Sequence, residues 1–458
     1  MKPTTLQQIA LWCGGTVAPE YRQVTVNGLC HDSRELEKGE LFFALEGAHD
    51  GHDYVGRAME AGAAAAVVSR PVDQTIPQIL VKDTKKALGD IARAYKDSLN
   101  VRTVAITGSV GKTTTRAMTM ALLSRTYRTR GTVKNYNNDI GLPVTIGKVE
   151  ADTEMLVLEM GMNHFGEMRQ LSDIGHPDLV TITNIGSMHI ENLGSREGIL
   201  KAKLEILEGL RPGGTCFFNG DEPLLWDLRG KNQFHTLYFG IENPNCDVLA
   251  TEVRLLEGKS RFRVRWGSYD FPVELPLGGK HNIYNALAAI AVALHEKVPV
   301  EEIQQGIAGF VNTEQRQQIR YYKTFTIIDD TYNAGPESME AALLVLKATS
   351  GMGEKPRRIA VLGDMLELGN HANGAHYRIG RMAACNADLH LTYGPQSVHT
   401  VSGAITGGMG QRSAMNFQTQ EELVNTLKNR AKPGDVLLFK GSHGMHMEKI
   451  LQAFMQED

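Results

Sequence analysis

The run VAITGSVGKTTTR, from Val104 to Arg116, leads an apolar strand into a glycine turn that ends on Lys-Thr. Gly108 and Gly111 let the backbone turn tightly enough for successive N–H groups to point at one anion. From such a turn Lys112 reaches the β- and γ-phosphates of a nucleoside triphosphate, and the Thr113 hydroxyl can ligate magnesium. A helix that begins there adds the positive end of its dipole. The G-x-x-x-x-G-K-[ST] pattern would put its first glycine at position 106, where this chain has Ile106. A turn with a merely solvated lysine has no need of this whole combination. Gly108, Ser109, Val110, Gly111, Lys112, Thr113 and Thr114 therefore read as a nucleotide-phosphate cradle.

The elements that must carry this turn follow from the pattern around it. From Val101 onward, apolar runs (TVAIT, MLVLEM, DLVTITN, GTCFFNG) alternate with glycine turns and helical stretches. That alternation predicts a parallel sheet covered by helices on both faces. Between about 247 and 276, RFRVRW alternates charged and apolar residues as a half-exposed antiparallel strand does. The apolar run HNIYNALAAIAVALHE predicts a long buried helix after it, and beyond residue 313 a second strand–helix series begins (TFTIIDD, RIAVLGD, DLHLTYG, DVLLFKG). The first hundred residues mix short β-like runs (LFFAL, AAAVVS, QILV) with Ala-rich helical stretches. Three α/β domains are expected, over 1–98, 99–313 and 314–458, in keeping with about 150 residues per domain.

Composition narrows the partners. Hydrophobic residues make up 42% and charged residues 22% of the 458, ordinary values for a chain that buries several cores. A net charge of -4 gives no electrostatic reason to expect nucleic acid or an anionic membrane. The longest strongly apolar run, ALAAIAVAL, falls far short of the roughly 20 residues that span a bilayer. The opening MKPTTLQQIALWCGG makes a poor export signal. Five scattered cysteines without C-x-x-C spacing fit free thiols in a reducing cytoplasm.

The shortened T-G-x-x-G-K-[ST] turn resembles that of the ATP-dependent Mur ligase family and its folate-ligase relatives. Further segments fall in that family's order. LEMGMNHFGEM places Glu159 at a strand end, where a carboxylate could hold magnesium, and ITNIGSMHIENLGS places His189 beyond the next strand. ILKAKLEIL resembles the segment with the family's carbamylated lysine, which implies Lys203, and GGKHNIYNALAAIA resembles its H-N-x-x-N-A helix, which implies Asn282 and Asn285 near the nucleotide. IDDTYNAGPESMEAAL resembles a segment whose aspartate, here Asp330, contacts the ATP ribose or adenine. Arg316, in NTEQRQQ, stands where an arginine approaches the γ-phosphate, and CHDSRELEKGELFFALEGAHDGH resembles a nucleotide-sugar domain with Asp32, Ser33 and Arg34 on the UDP side. Each segment alone has a plainer reading: a capping carboxylate, a solvated Lys201–Lys203 face, a helix-capping asparagine, a surface arginine, or a polar turn.

The resemblance covers nearly the whole chain. It implies three domains: a small N-terminal α/β UDP-binding domain, a central P-loop parallel-sheet ATPase domain and a C-terminal Rossmann-like α/β domain. DTYNAGP and GDMLELG resemble the D-alanyl-D-alanine-adding branch, and the D-N-P-R run of the diamino-acid-adding branch is missing. The implied activity is ATP-dependent ligation of D-alanyl-D-alanine to UDP-N-acetylmuramoyl-tripeptide through an acyl phosphate, by a cytoplasmic monomer. Two magnesium ions are implied, one served by Thr113 and one organised by Glu159, His189 and a carbamate on Lys203. Two positions depart from the branch: Gly335 stands for an asparagine and His443 for an arginine, while Lys440 and Ser442 are retained. The competing readings are another amide ligase of the superfamily, such as a folylpolyglutamate synthetase, and a P-loop switch or transporter ATPase.

Overall fold

In the computed structural model, which describes residues 1–231, 233–312, 315–352 and 355–456, the strand Arg102–Thr107 lies inside a nine-stranded sheet. Its neighbours Met155–Glu159 and Leu179–Ile182 both run parallel to it. Thr215–Asn219, His235–Gly240 and Val248–Leu256 extend the parallel order on one side, and Thr129–Gly131 closes the other. The interlude is an antiparallel meander: Lys259–Trp266 pairs with Val248–Leu256 and with Tyr269–Leu275. Side chains of the central strands alternate between two cores. Ala105, Leu156, Leu158, Val180 and Ile182 enter one, and Val104, Ile106, Met155, Val157 and Leu179 the other. Both faces of the sheet are therefore covered, as the long apolar runs required.

The missing first glycine has a geometric reason. Ile106 is fully buried and still inside the strand, opposite Glu159 on one side and Thr181 on the other. The turn begins only at Gly108. The predicted apolar helix is Lys280–His295, whose alanines and leucines are buried from Ala286 to Leu294 and pack against the helix Lys112–Leu123 that follows the turn.

Residues before the nine-stranded sheet form a five-stranded one, ordered Thr16–Val17, Gln78–Leu80, Ala65–Val68, Leu41–Phe43, Leu29–Cys30. The helix Thr84–Asp97, capped by Asp83 on the amides of Lys85 and Lys86, ties this layer to the central one. Its buried Lys96 Nζ donates to the His176 carbonyl at 2.6 Å, and Arg93 pairs with Asp173.

The third sheet runs Gln318–Tyr322, Phe325–Asp330, Val436–Lys440, Arg358–Gly363, Leu389–Tyr393, Ala414–Phe417, with only the first strand antiparallel. Here too the strands alternate between cores, Ile328, Ala360 and Leu438 into one and Ile327, Val361 and Phe439 into the other. The strand Gln318–Tyr322 was not among the expected runs, which began with TFTIIDD. The expected boundary at Thr313 and Glu314 lies outside the described residues. Among the described residues no helix is long and apolar enough to cross a membrane.

Candidate active site

Three adjacent parallel strands deliver their carboxyl ends to one place: Thr107 with the glycine turn, Glu159, and Ile182 with Thr183 and Asn184. Ligands of open α/β sheets bind outside such ends. Gly111 has φ +84°, and a side-chain carbon there would meet Asn285 Oδ1 at 2.3 Å; one at Gly108 would meet Thr183 Oγ1 at 1.9 Å. Only glycine fits at either position.

The turn is held from behind. Ser109 N and Val110 N donate to Asn184 Oδ1 at 3.1 and 3.0 Å, and Asn184 Nδ2 donates back to the Val110 carbonyl. Thr183 Oγ1 donates to the same carbonyl at 2.7 Å, and Gly186 N donates to Ser109 Oγ at 2.8 Å. These bonds occupy the amides of Ser109 and Val110. The four amides from Gly111 to Thr114 open the next helix, where helix geometry provides no internal acceptor. All four residues line the cavity, at the positive end of the helix dipole. Lys112 Nζ curls over the turn and donates to the Gly108 and Ser109 carbonyls at 2.8 and 3.3 Å. Burial lowers its ammonium below the ordinary lysine value, against the pull of Glu159.

Glu159 is 2% exposed. Its Oε1 accepts from Thr113 Oγ1 at 3.2 Å and from Asn137 Nδ2 at 2.9 Å. Its Oε2 lies 3.5 Å from Arg116, yet has no hydrogen-bond partner among the described residues. A buried carboxylate oxygen so placed beside a threonine hydroxyl fits a hard cation such as magnesium. Among the described residues no group of three or more His, Cys, Asp or Glu side chains converges as a metal-binding cluster.

One cavity of about 420 Å³ unites most of the predicted residues: Ser109 to Thr114, Glu159, His189, Asn282, Asn285, Arg316 and Asp330 all line it. Asn285 supports the turn and accepts from Thr115 Oγ1 at 3.2 Å. Asn282 binds the Gly278 carbonyl and Gln317. From the third sheet, the Arg316 guanidinium stacks on the Tyr332 ring at 4.1 Å, and Asp330 pairs with Lys440 at 2.7 Å. His189 is turned toward that sheet also: its Nδ1 meets Glu367 Oε2 at 2.5 Å, and that bond holds the Glu367 carboxyl below the usual range.

Lys203 stands apart from the cavity lining. It is 2% exposed, and burial first, then the charge of Lys112, pushes its amine well below the ordinary lysine value. Lys201 is exposed and lies over Phe165. Asp32, Ser33 and Arg34 do not line the cavity; they lie in a turn after Leu29–Cys30 where Asp32 pairs with Arg34 at 2.6 Å and is held down to about 2. Glu35 next to them accepts from Tyr136 of the central layer at 2.7 Å.

The two departures are accommodated locally. A side chain at Gly335 would meet Met188 Cγ at 2.8 Å. His443 is exposed, beside the Tyr332 ring, and its amide donates to Asn333 Oδ1. Sequence reasoning missed Arg116, Asn137, Asn184, Glu337 and Glu367. Arg116 and Asn137 flank Glu159, and an arginine in the second turn of the helix after the phosphate turn was the available signal.

Comparison with known proteins agrees with this geometry. Residues 106–293 match the Mur ligase middle domain, 315–443 the Mur ligase glutamate ligase domain and 25–96 the Mur ligase family catalytic domain. The chain is 38% identical to UDP-N-acetylmuramoyl-tripeptide–D-alanyl-D-alanine ligase of Bacillus subtilis (strain 168), over 99% of this chain and 98% of that one. The fold matches MurF from Acinetobacter baumannii with TM-score 0.91 at 32% identity, covering 100% of both chains. It also matches MurF ligase from Thermotoga maritima in complex with ADP with TM-score 0.81 at 28% identity, over 94% of this chain and 97% of that one. The chain belongs to the Mur ligase family.

Proposed function

We propose that this chain is the ATP-dependent ligase that joins D-alanyl-D-alanine to UDP-N-acetylmuramoyl-tripeptide, releasing ADP and phosphate, in the synthesis of peptidoglycan precursors. The observation that carries the reading is a single cavity lined both by the phosphate turn and by Asp330 and Lys440 of the third sheet, with Arg316 just before that sheet's first strand. A switch or transport ATPase needs the first set, whereas an enzyme that must shelter a reactive intermediate needs both. The relatives' full-length likeness supports the same substrate pair.

A carboxylate at neutral pH has no good leaving group, so amide formation requires its activation. The acceptor's terminal carboxylate oxygen attacks the γ-phosphorus of ATP, the bond to ADP breaks, and an acyl phosphate forms. The amine of D-alanyl-D-alanine then attacks the acyl carbon, the bond to phosphate breaks, and the amine sheds a proton. The amides from Gly111 to Thr114 and the Lys112 ammonium hold and neutralise the phosphates, the work that positioning and charge do in phosphoryl transfer. Arg316, stacked on Tyr332, brings a second cation from the opposite sheet. Asp330 offers its carboxylate to the nucleoside.

Magnesium, when bound, supplies positive charge at the phosphates; Thr113 would hold one ion, and Glu159, with His189 and a carbamate on Lys203, would organise a second. We assign a carbamate to Lys203, where the lowered proton affinity of the buried amine favours the neutral form that adds to carbon dioxide with release of a proton. His189 would join that second site by exchanging Glu367. Asp32, Ser33 and Arg34 take the UDP side. The division into units at 1–98, 99–313 and 314–458, a monomeric state and a cytoplasmic location complete the reading. Phosphate release, measured with ATP, acceptor and amine each withheld in turn, tests it: release must require all three, and release with ATP alone contradicts ligation.

A further inference from the structure

The third sheet reaches the phosphate turn through one carboxylate. Glu337 sits in the first turn of the helix Pro336–Ala348, yet its Oε1 accepts from Ser187 N at 2.9 Å and from Ser187 Oγ at 2.5 Å, across the seam between the two sheets. Next to Ser187, Gly186 N donates to Ser109 Oγ of the turn. Two adjacent residues, Ser187 and Gly186, thus link the carboxylate to the phosphate cradle.

The seam is cut to fit. A side-chain carbon at Gly186 would lie 2.8 Å from the Glu337 carboxyl group, and one at Gly335 would lie 2.8 Å from Met188 Cγ. Each side leaves out a side chain where the other inserts one. Glu337 Oε2 is buried without a hydrogen-bond partner among the described residues, an arrangement that costs stability unless the position serves another end.

We propose that Glu337 is a positioning residue that latches the C-terminal sheet, with Arg316, Asp330 and Lys440, onto the nucleotide turn through Ser187. This rests on the proposed ligation for its kinetic consequence alone. Losing the latch leaves the turn and its amides in place, so ATP still binds. Arg316 is then no longer held over the phosphates, and misplacement of that kind costs about 10- to 100-fold in turnover.

The test uses the full chain and the variants Glu337→Ala, Glu337→Gln, Ser187→Ala and the double Ser187→Ala/Glu337→Ala. Glu337→Ala is expected to lower kcat about 10- to 100-fold with KM for ATP little changed. Glu337→Gln, whose amide oxygen still accepts from Ser187, should recover most of that loss, and the double variant should be no worse than Glu337→Ala, because the two residues act as one unit. Small-angle X-ray scattering with ADP should show a larger radius of gyration for Glu337→Ala than for the unaltered chain. Unchanged kcat and scattering in Glu337→Ala, or multiplicative losses in the double variant, would overturn the latch. If Glu337→Ala fails to fold, Ser187→Ala against Glu337→Gln carries the test: Ser187→Ala must lower kcat more, and equal activity overturns it. Scattering needs no turnover, so it reads the latch even if the ligation itself fails, and phosphate release by the unaltered chain reads the ligation.

Discussion

Thr113 Oγ1 donates to Glu159 Oε1 at 3.2 Å, while Glu159 Oε2 is buried without a hydrogen-bond partner among the described residues. The pair joins the start of the turn helix to the close of the strand Met155–Glu159. In the proposed reaction this second oxygen, 3.5 Å from Arg116, would serve as a magnesium ligand. Glu159→Gln keeps the acceptor toward Thr113 and Asn137 but removes the charge. Turnover should fall on the order of 100-fold, and more magnesium should be needed for half-maximal rate. Initial rates across a magnesium titration check this; an unchanged titration removes Glu159 from the site.

Lys112→Ala should abolish turnover while leaving the fold intact. Among the described residues its ammonium bonds the turn's own carbonyls, and it can trade them for phosphate oxygens without disturbing the strand. Loss of such a charge where negative charge redistributes costs on the order of 100-fold or more. Circular dichroism and phosphate release on the same sample separate folding from chemistry.

How far this could be read from sequence depends on the range of the interaction. The strands and the long helix were legible because buried parallel strands and a buried helix are written as local apolar runs, and the turn because its glycines and lysine are contiguous. The strand Gln318–Tyr322 was not, since an edge strand with one partner needs no apolar run. Asn184 was not either: an asparagine after a strand has many local uses, and its bonds to Ser109 and Val110 span 75 and 74 positions. For His189 resemblance supplied the residue, but its partner Glu367, 178 positions away, came only from the geometry.

Lys203 and Lys201 are two apart, so on a helix they point about 200° from each other. Only Lys203 is buried. Lys203→Ala should lose activity and regain part of it with added acetate or another short carboxylic acid standing in for the carbamate oxygens. Lys201→Ala should behave as the unaltered chain. The opposite pattern moves the assignment to Lys201.

Lys96 offers a pH signature separate from catalysis. Burial lowers its ammonium from the ordinary lysine value of 10.5 to about 8, with the Arg211 charge adding to the effect. Below about 8 both folded and unfolded chains carry the proton, and folding bears the full cost of the buried charge. Between there and 10.5 the unfolded chain alone holds the proton, so this contribution to stability rises with pH. Lys96→Met removes the charge at every pH. The urea midpoint of the unaltered chain, taken relative to Lys96→Met, should climb from pH 8 toward pH 10; a flat difference contradicts the burial argument.

Amine specificity tests the central claim most directly. A pocket built for the amide and distal carboxylate of a dipeptide leaves polar groups unpaired around a single amino acid, a discrimination that reaches roughly 10⁴-fold. The measurement pairs UDP-N-acetylmuramoyl-tripeptide and the corresponding UDP-dipeptide, each with D-alanyl-D-alanine, L-lysine or diaminopimelate, in the presence of ATP, and reads products by mass spectrometry. Only the tripeptide with D-alanyl-D-alanine should give a product, a UDP-linked pentapeptide, with ADP and phosphate released in equal amounts. A UDP-linked tripeptide made from the dipeptide and a diamino acid would contradict the account while leaving acyl-phosphate chemistry standing.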